Sequence, residues 1–353
     1  MMFDLHRHDE FSSFDGFGNA EEVAVRAVEL GHTAICTTNH GNTNGLVQTY
    51  MAGKRHGIKA ILGCEGYFLP RWKEKTRGYH LCLLAKDLRG YANLNRIQFA
   101  GEHHKYYNPI WTFEDLERYR DGLICTSACV AGYLAKAIAA DKLGQARKFA
   151  ERMLDIFGGD FYIEIQPYAV SEPGLQEKVN VGAIRIADEL GIKCILTSDS
   201  HRVREEDMPT YLKMHAISGH DPEWVEGTYA ERYMPEGWQM MLRFAKMHKD
   251  DFPDATERGK LYESTLDEIA DKCEDGYLDD LPLVLPRLEG TDSWEALRAN
   301  VRAGLRHLGV DTKPYRDRAL EELRVIHELG FEDYFLMVAD YAGANIAKLG
   351  EPF

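Results

Sequence analysis

The sequence predicts an α/β protein in which a barrel of mainly parallel, helix-covered strands occupies residues 1–210 and a more helical part follows. Three observations predict it. Short apolar runs alternate with amphipathic helical segments seven times before Thr210, the rhythm of strand–helix units. Side chains able to hold a metal fall where those runs end, the face on which such barrels gather their chemistry. After Thr210 the strand-like runs stop while helical periodicity continues.

The first strand is expected at Phe3–His6, running into Arg7-His8-Asp9 and a loop that ends at Asp15-Gly16. Alternation along it sends His6 and His8 to one side and Arg7 to the other. Two imidazoles facing one spot, with Asp15 folded back beside a glycine, offer three metal donors. Asn19-Ala-Glu-Glu has capping-box spacing and opens a helix to Glu29. Thr33–Thr38 reads as a strand that meets Asn39-His40-Gly41-Asn42, and Leu46–His56 as a helix. Ile58–Cys64 is the third strand, with Glu65 at its carboxyl end. Gly66–Gly78, with Pro70 and the cations Arg71, Lys73, Lys75 and Arg77, is an exposed excursion; a solvated loop is preferred over a phosphate contact.

His80–Ala85 is the fourth strand. His80 opens it rather than closing it, so either the limits differ or this strand runs against the others. A helix follows from Leu88 to about Ala100, then a polar, Tyr-rich loop in which His103 and His104 are read as solvent-exposed. Thr112-Phe-Glu-Asp caps a short helix, and Gly122–Thr126 leads to Ser127-Ala128-Cys129. An Ala-rich helical region from Val130 to Phe157 is broken near Asp141 and Gly144. Phe161–Gln166, a helix over Leu175–Leu190 and Lys193–Ser198 complete the barrel, with Asp199-Ser-His201 at the last strand end.

The first domain is placed at residues 1–285, a barrel core to 210 and an irregular helical extension over 211–285 in which His215, His220 and His248 are surface or packing residues. Leu281–Pro286 reads as an extended linker closing it. Residues 286–353 hold a helix capped by Asp292-Ser293, a charged helix from Arg316 to Leu329 and an apolar face at Tyr334, Phe335, Met337, Val338 and Tyr341.

Composition narrows the function. With 42 Lys plus Arg against 57 Asp plus Glu, a formal charge of −15, the chain as a whole does not attract a phosphate backbone, so nucleic acid must be bound locally or through a partner. Seven scattered cysteines without a Cys-x-x-Cys pair point to a reducing, cytoplasmic setting, and Cys36, Cys64, Cys82, Cys125 and Cys194 read as small hydrophobes. There is no apolar leader or membrane-length apolar run. A donor set of His, Asp and Glu with one Cys suits zinc, manganese or iron better than magnesium. Glu65 and Asp199 are the expected bridging or catalytic carboxylates, because a carboxylate offsets two cations where neutral imidazole cannot. Arg202 and Arg204, and less so Arg7, are candidate phosphate contacts. Cys129 as an acyl-transfer nucleophile is disfavoured, since no dedicated base accompanies it.

The ordered motifs His-x-His, NHGN, GCE, HLCLLAK, GLICTSAC and SDSH resemble the polymerase and histidinol phosphatase (PHP) domain at the amino end of bacterial DNA polymerase III alpha subunits, the C-family replicative polymerases. LRVIHELGFEDYFLMVADY resembles the entry to the polymerase palm of the same proteins, which makes 286–353 the start of a palm region. The resemblance implies a distorted seven-stranded barrel with up to three divalent metals. It implies the ligands His6, His8, Asp15, His40, Glu65, His80, Cys129, Asp199 and His201, all present here. It implies a 3′-5′ exonuclease that proofreads DNA 3′ ends, with the remaining polymerase and replisome subunits as partners. A metal-stabilised scaffold and a small-molecule phosphoesterase are the alternatives. Palm carboxylates would lie beyond Phe353, so no polymerase activity is expected from these residues alone. Asn39 stands where the family usually has Asp and is expected to orient His40; Tyr168 stands where some relatives have His.

Overall fold

The computed structural model describes residues 3–349 apart from 283 and 286. Its chain forms two compact units, residues 1–278 and 279–353. The linker expected across Leu281–Pro286 includes Leu283 and Pro286, which lie outside the described residues.

The first unit is a curled, mixed seven-stranded sheet wrapped by helices. Its strands are β1 (Ala34–Thr37), β2 (Lys59–Phe68), β3 (Tyr79–Ala85), β4 (Ile110–Trp111), β5 (Leu123–Thr126), β6 (Phe161–Ile165) and β7 (Lys193–Leu196), in the order β1-β2-β3-β5-β6-β7 with β4 beside β2. β1 and β2 are parallel, as are β5, β6 and β7 in turn, while β3 is antiparallel to both β2 and β5. That reversal answers the question posed by His80: the start of β3 lies at the end where its neighbours finish. Ile61, Leu62, Leu83, Leu84, Ile124, Ile163, Ile195 and Leu196 are all buried and form the body of the core with the inner faces of the helices.

Two strand assignments differ from expectation. Phe3–His6 is not a strand; Arg7 makes a single parallel bridge to Ser200, and its carbonyl accepts the Thr38 N–H at 2.8 Å. The segment thus spans the gap between the ends of β7 and β1. The reason is Asp4, whose carboxylate accepts bonds from the His6 and Ser198 N–H groups and from the Ser198 and Ser200 hydroxyls. Side-chain bonds replace a ladder there. The seventh strand is instead β4, too short to show a period. It pairs Ile110 with Tyr67 and Trp111 with Phe68, and the Trp111 indole lies where any side chain at Gly66 would be, 2.2 Å from an added Cβ.

The helices follow the sequence closely. α1 (Ala20–Glu29) has the Asn19–Glu22 capping box, and α2 is Leu46–His56. α3 is Leu88–Glu102, and α4 (Phe113–Tyr119) has the Thr112–Asp115 capping box. α5 (Tyr133–Ala139) and α6 (Leu143–Phe157) are separated at Asp141, whose φ is +59°. After α7 (Leu175–Leu190) come α8 (Met208–Ile217), α9 (Pro222–Tyr229), α10 (Gly237–His248) and α11 (Ala255–Lys272). The second unit contains α12 (Ser293–His307), α13 (Lys313–Leu329) and α14 (Glu332–Leu349) around a small core of Leu297, Leu323 and Leu336. Among the described residues no helix is long and apolar enough to cross a membrane.

Candidate metal centre

The nine residues named from the sequence meet at one end of the sheet, although 195 positions separate the first from the last. Glu65 is at the middle. Its Oε1 lies 3.1 Å from His6 Nε2, 2.9 Å from His80 Nδ1 and 3.5 Å from Cys129 Sγ, and its Oε2 lies 2.7 Å from His40 Nδ1 and 3.5 Å from His8 Nε2. Asp199 faces it: Oδ1 is 3.3 Å from His6 Nε2, 3.2 Å from His8 Nε2 and 3.6 Å from His201 Nδ1. Asp15 lies outermost, 2.9 Å from His40 Nε2 and 3.6 Å from His201 Nε2.

Backbone geometry sets these positions. Glu65 is inside β2 rather than after it, and His40 makes a parallel bridge to it. Asp199 and Ala128, the latter preceding Cys129, have φ of +48° and +58° in the left-handed region, conformations held against their local cost at the turn where each ligand leaves its strand. Gly16 lets the Asp15 loop fold onto the rim, since a Cβ there would fall 2.1 Å from the Asp9 carbonyl oxygen.

The donor atoms fit a cation. His8 Nε2, His40 Nδ1, Glu65 Oε2 and Asp199 Oδ1 are buried and have no hydrogen-bond partner, yet each lies in contact with another of the set. Donor atoms crowded together without hydrogen bonds assigned between them are what ligands arranged around a cation present. The opposite ring nitrogens are already occupied. The Ser12 hydroxyl donates to Asn39 Oδ1, so its oxygen is left to accept from His8 Nδ1–H and from the His40 backbone N–H. His201 Nδ1 is 2.7 Å from the Asp199 carbonyl oxygen and His6 Nδ1 is 2.8 Å from Glu164. Each bond presents the Nε2 lone pair to the cluster, as metal-ligating histidines require. Among the described residues four triads, His8–His40–His201, His6–His8–Asp199, His40–Glu65–His80 and His6–Cys82–Glu164, bring one donor atom per residue within 4.8 Å of one another.

Electrostatics separate the groups. Burial pushes the carboxyl groups of Glu65 and Asp199 up, but His80, His6 and His40 around the first and His6, Arg232 and His201 around the second outweigh it, so both are held well below the usual range. Asp15 is lowered in the same way, burial being overcome by His201 and His40. Burial also opposes protonation of His40, yet Glu65 and Asp15 raise it to about 9. His8 goes the other way: burial, with His40 and His201 beside it, keeps it neutral and its lone pair free. The Cys129 thiol is pushed well up by burial and by Glu65 and Asp199.

Several contributors are absent from the sequence-derived set. Glu164 in β6 sits behind His6 and is gripped by the Thr126 and Thr197 hydroxyls, while its N–H donates to Ser127 Oγ. Cys82, read as a mere small hydrophobe, puts its sulfur 3.7 Å from His6 Nδ1. Both were signalled as polar or ligand-capable residues inside apolar strands, and Cys82 lies in register between Glu65 and Thr126. Arg232, from the extension, donates to Asp199 Oδ2 at 2.8 Å and lies 4.6 Å over the Tyr168 ring, whose hydroxyl donates to the same oxygen at 3.1 Å. Nothing in its local sequence announced it. His215, read as ordinary, is buried with Nε2 3.9 Å from Asp15 Oδ1, whereas His248 is a packing residue against Asn180 and Phe244.

Arg202, Arg204 and Asn39 are used differently than expected. Arg202 is buried, donating to the Tyr229 and Ala230 carbonyls, and Arg204 pairs with Glu29 at 2.8 Å; neither joins the cluster. Arg7 is likewise buried away from it, burial lowering its pKa. Asn39 does not touch the His40 ring; it bonds Asp9 and Ser12 and acts on His8 and His40 through the Ser12 hydroxyl.

Residues 4–168, which include the first seven of these donors, match the family model of the PHP domain. The chain is also a homologue of DNA polymerase III alpha subunits. Over 96% of its length it is 32% identical to DNA polymerase III subunit alpha of Borreliella burgdorferi and covers 30% of that protein. It is 30% identical over 96% of its length to the same subunit of Aquifex aeolicus, covering 31% of it. It thus spans about a third of the length of these curated relatives. Among solved structures, a two-domain protein of Bacteroides vulgatus containing a predicted PHP-like metal-dependent phosphoesterase is 16% identical, with a TM-score of 0.33, over 56% of this chain and 51% of that one.

Proposed function

We propose that the cluster holds up to three divalent ions, zinc, manganese or iron, and hydrolyses phosphodiester bonds at DNA 3′ ends, the 3′-5′ proofreading activity of a replicative polymerase. Residues 1–285 are then its PHP domain and 286–353 the opening of its palm; the remaining polymerase and replisome subunits are the partners and the cytoplasm the location. The observation that carries this reading is the set of four buried, unpartnered donor atoms on His8, His40, Glu65 and Asp199. His6, His8, Asp15, His40, Glu65, His80, Cys129, Asp199 and His201 are the ligands. Divalent ions there supply a Lewis acid for the phosphoryl oxygens and lower the pKa of water.

The chain's own residues do the rest. Glu65 and Asp199 each face three or more donors, so they would hold the ions as shared anionic ligands and supply the catalytic negative charge of the site. Ser12 and Glu164 fix the tautomers of His8 and His6. Arg232 and the Tyr168 hydroxyl hold the second Asp199 oxygen, so only Oδ1 is offered to the cluster. Access is from the side of Asp15, His40 and His80, whose side chains are 16–26% exposed, while His6, His8 and Glu65 are fully enclosed.

That enclosure also favours a second reading, ions that only brace the barrel, and one experiment separates the two. The purified chain is assayed for metal content and, with manganese or zinc, for removal of a 3′-mismatched nucleotide, with Asp199→Asn as control. Mismatch removal by the parent and not by Asp199→Asn is expected. Stoichiometric metal with no cleavage would leave the bracing role, and faster turnover of phosphomonoesters than of DNA would make the domain a small-molecule phosphoesterase.

A further inference from the structure

The β2–β3 connection, residues 69–78, carries Arg71, Lys73, Lys75 and Arg77, all exposed, against the single acid Glu74. In a chain of formal charge −15 this is a local reversal of sign. None of the four has a carboxylate partner among the described residues, whereas Lys105 nearby is paired with Glu102 at 3.0 Å. Cations left unpaired on an acidic protein keep their charge available for an anion.

Exposed aromatic rings interleave with these cations. Trp72 is 43% exposed, stacks on His104 at 5.6 Å and donates its indole N–H to the His104 carbonyl at 3.1 Å. Tyr107 is 70% exposed, packs on Tyr106 at 4.6 Å and has the Arg77 guanidinium 5.5 Å from its ring centre. Burial does not explain them; they are held in place and left open. The patch also adjoins the cluster. Arg77 is three residues ahead of His80, and Tyr107 three ahead of Ile110, which pairs with Tyr67, which in turn pairs with His80. Three residues reach about 10 Å at most, so Arg77 and Tyr107 stand close to the cluster along the sheet.

We propose that residues 69–78 and the Tyr106–Tyr107 turn form a stacking platform for single-stranded DNA that leads a 3′ end to the strand-end cluster. The assignment rests on the nuclease reading above and adds the strandedness of its substrate. Cations track the phosphates while rings accept bases, and a base can reach Trp72 or Tyr107 only when it is not stacked inside a duplex. A mispaired, frayed terminus meets that condition and a paired one does not.

The test is fluorescence anisotropy of labelled oligo-dT with the whole chain in EDTA, beside manganese-dependent hydrolysis of bis(p-nitrophenyl) phosphate. Trp72→Ala and Tyr107→Ala each weaken oligo-dT binding about 5- to 150-fold, the range for loss of one base stack. The triple change Lys73→Gln, Lys75→Gln and Arg77→Gln lowers the slope of log affinity against log salt by about 2, at ~0.7 per phosphate contact on a single strand. Asp199→Asn binds as the parent does but hydrolyses the small diester on the order of 10²–10³-fold more slowly, and the loop variants melt at the parent's temperature and hydrolyse the small diester at its rate. Unchanged oligo-dT affinity in the aromatic variants overturns the platform. So does equal affinity for duplex, or displacement of oligo-dT by poly-glutamate at equal charge concentration, which marks an acidic protein as the occupant. No hydrolysis of the small diester by the parent sinks the nuclease reading instead, and anisotropy still decides the platform.

Discussion

Glu65 and Glu322 are the same side chain beside cationic partners, in two regions that treat charge oppositely. Glu322 on α13 lies 2.8 Å from Arg318, with both side chains more than half exposed. Glu65 is fully enclosed, with five donor groups around it. On α13, water and salt screen the pair, and holding two long side chains in one geometry offsets most of the attraction. In the barrel each charge has been taken out of water at a cost of several kcal/mol, which only a dense set of opposite charges or a cation returns. A protein seeking stability alone would fill that interior with leucine. Charge kept there therefore points to use.

The largest effect is expected at Asp199. Asp199→Ala leaves the Arg232 guanidinium enclosed between Tyr168 and Tyr229 without its carboxylate, an uncompensated buried charge costing about 3–5 kcal/mol in a melting experiment. Asp199→Asn keeps an oxygen for Arg232 and melts closer to the parent, but it removes an anionic ligand. Cleavage should then fall on the order of 10²–10³-fold, as for loss of one electrostatic stabiliser in an enclosed site. An Asn variant that cuts DNA at the parental rate would remove Asp199 from the chemistry.

Glu164 comes next, because it acts through His6. Glu164→Ala frees the His6 ring to rotate and to change tautomer, and should weaken metal binding about 10- to 100-fold by competition with a chelating dye. Glu164→Gln, whose side-chain oxygen can still accept from His6 Nδ1–H, should recover most of that loss. Equal loss in the two variants would mean that Glu164 contributes only its charge.

The metal-free chain should have a stability maximum bounded on both sides. The depressed carboxyl groups of Glu65, Asp199 and Asp15 contribute stability that is complete above the ordinary carboxylate range and is lost as pH falls through their lowered values. His40, raised to about 9, contributes stability that is complete below its ordinary 6.5 and lost as pH rises through about 9. Metal reverses the alkaline limb, since ligating histidines must be deprotonated and binding adds stability to the folded state. Melting temperatures with and without manganese should therefore diverge as pH rises from 6.5 to 9; parallel curves would mean that the ring does not meet the ion.

What the sequence made legible follows the same division. Strand-end donors were readable because alternation and the βα rhythm place them on one rim with no knowledge of contacts, and His80 fitted once β3 was antiparallel. The opening strand was misread because a hydrophobic period cannot show Asp4 taking over the backbone donors, and β4 was missed because two residues have no period. Glu164 was visible as a lone acid inside Phe161–Gln166. Arg232 was not, because its role exists only once the extension folds back beside β7 and Tyr168.

The smallest effect is expected on α13, where the contrast with Glu65 is sharpest. Arg318 is exposed and faces Glu322 at 2.8 Å and Glu321 at 3.6 Å, one turn along the helix. Its neighbours raise its pKa, Glu322 first, but the guanidinium is charged across the accessible range in any case, so the shift carries no pH-dependent stability. Arg318→Ala also places the best helix former on the surface, which opposes whatever the lost pair contributed. The variant should melt with the parent within error at low and at high salt. A drop at low salt that disappears at high salt would show that α13 relies on its surface charges after all, and that the small core of Leu297, Leu323 and Leu336 is not enough to hold the second unit together.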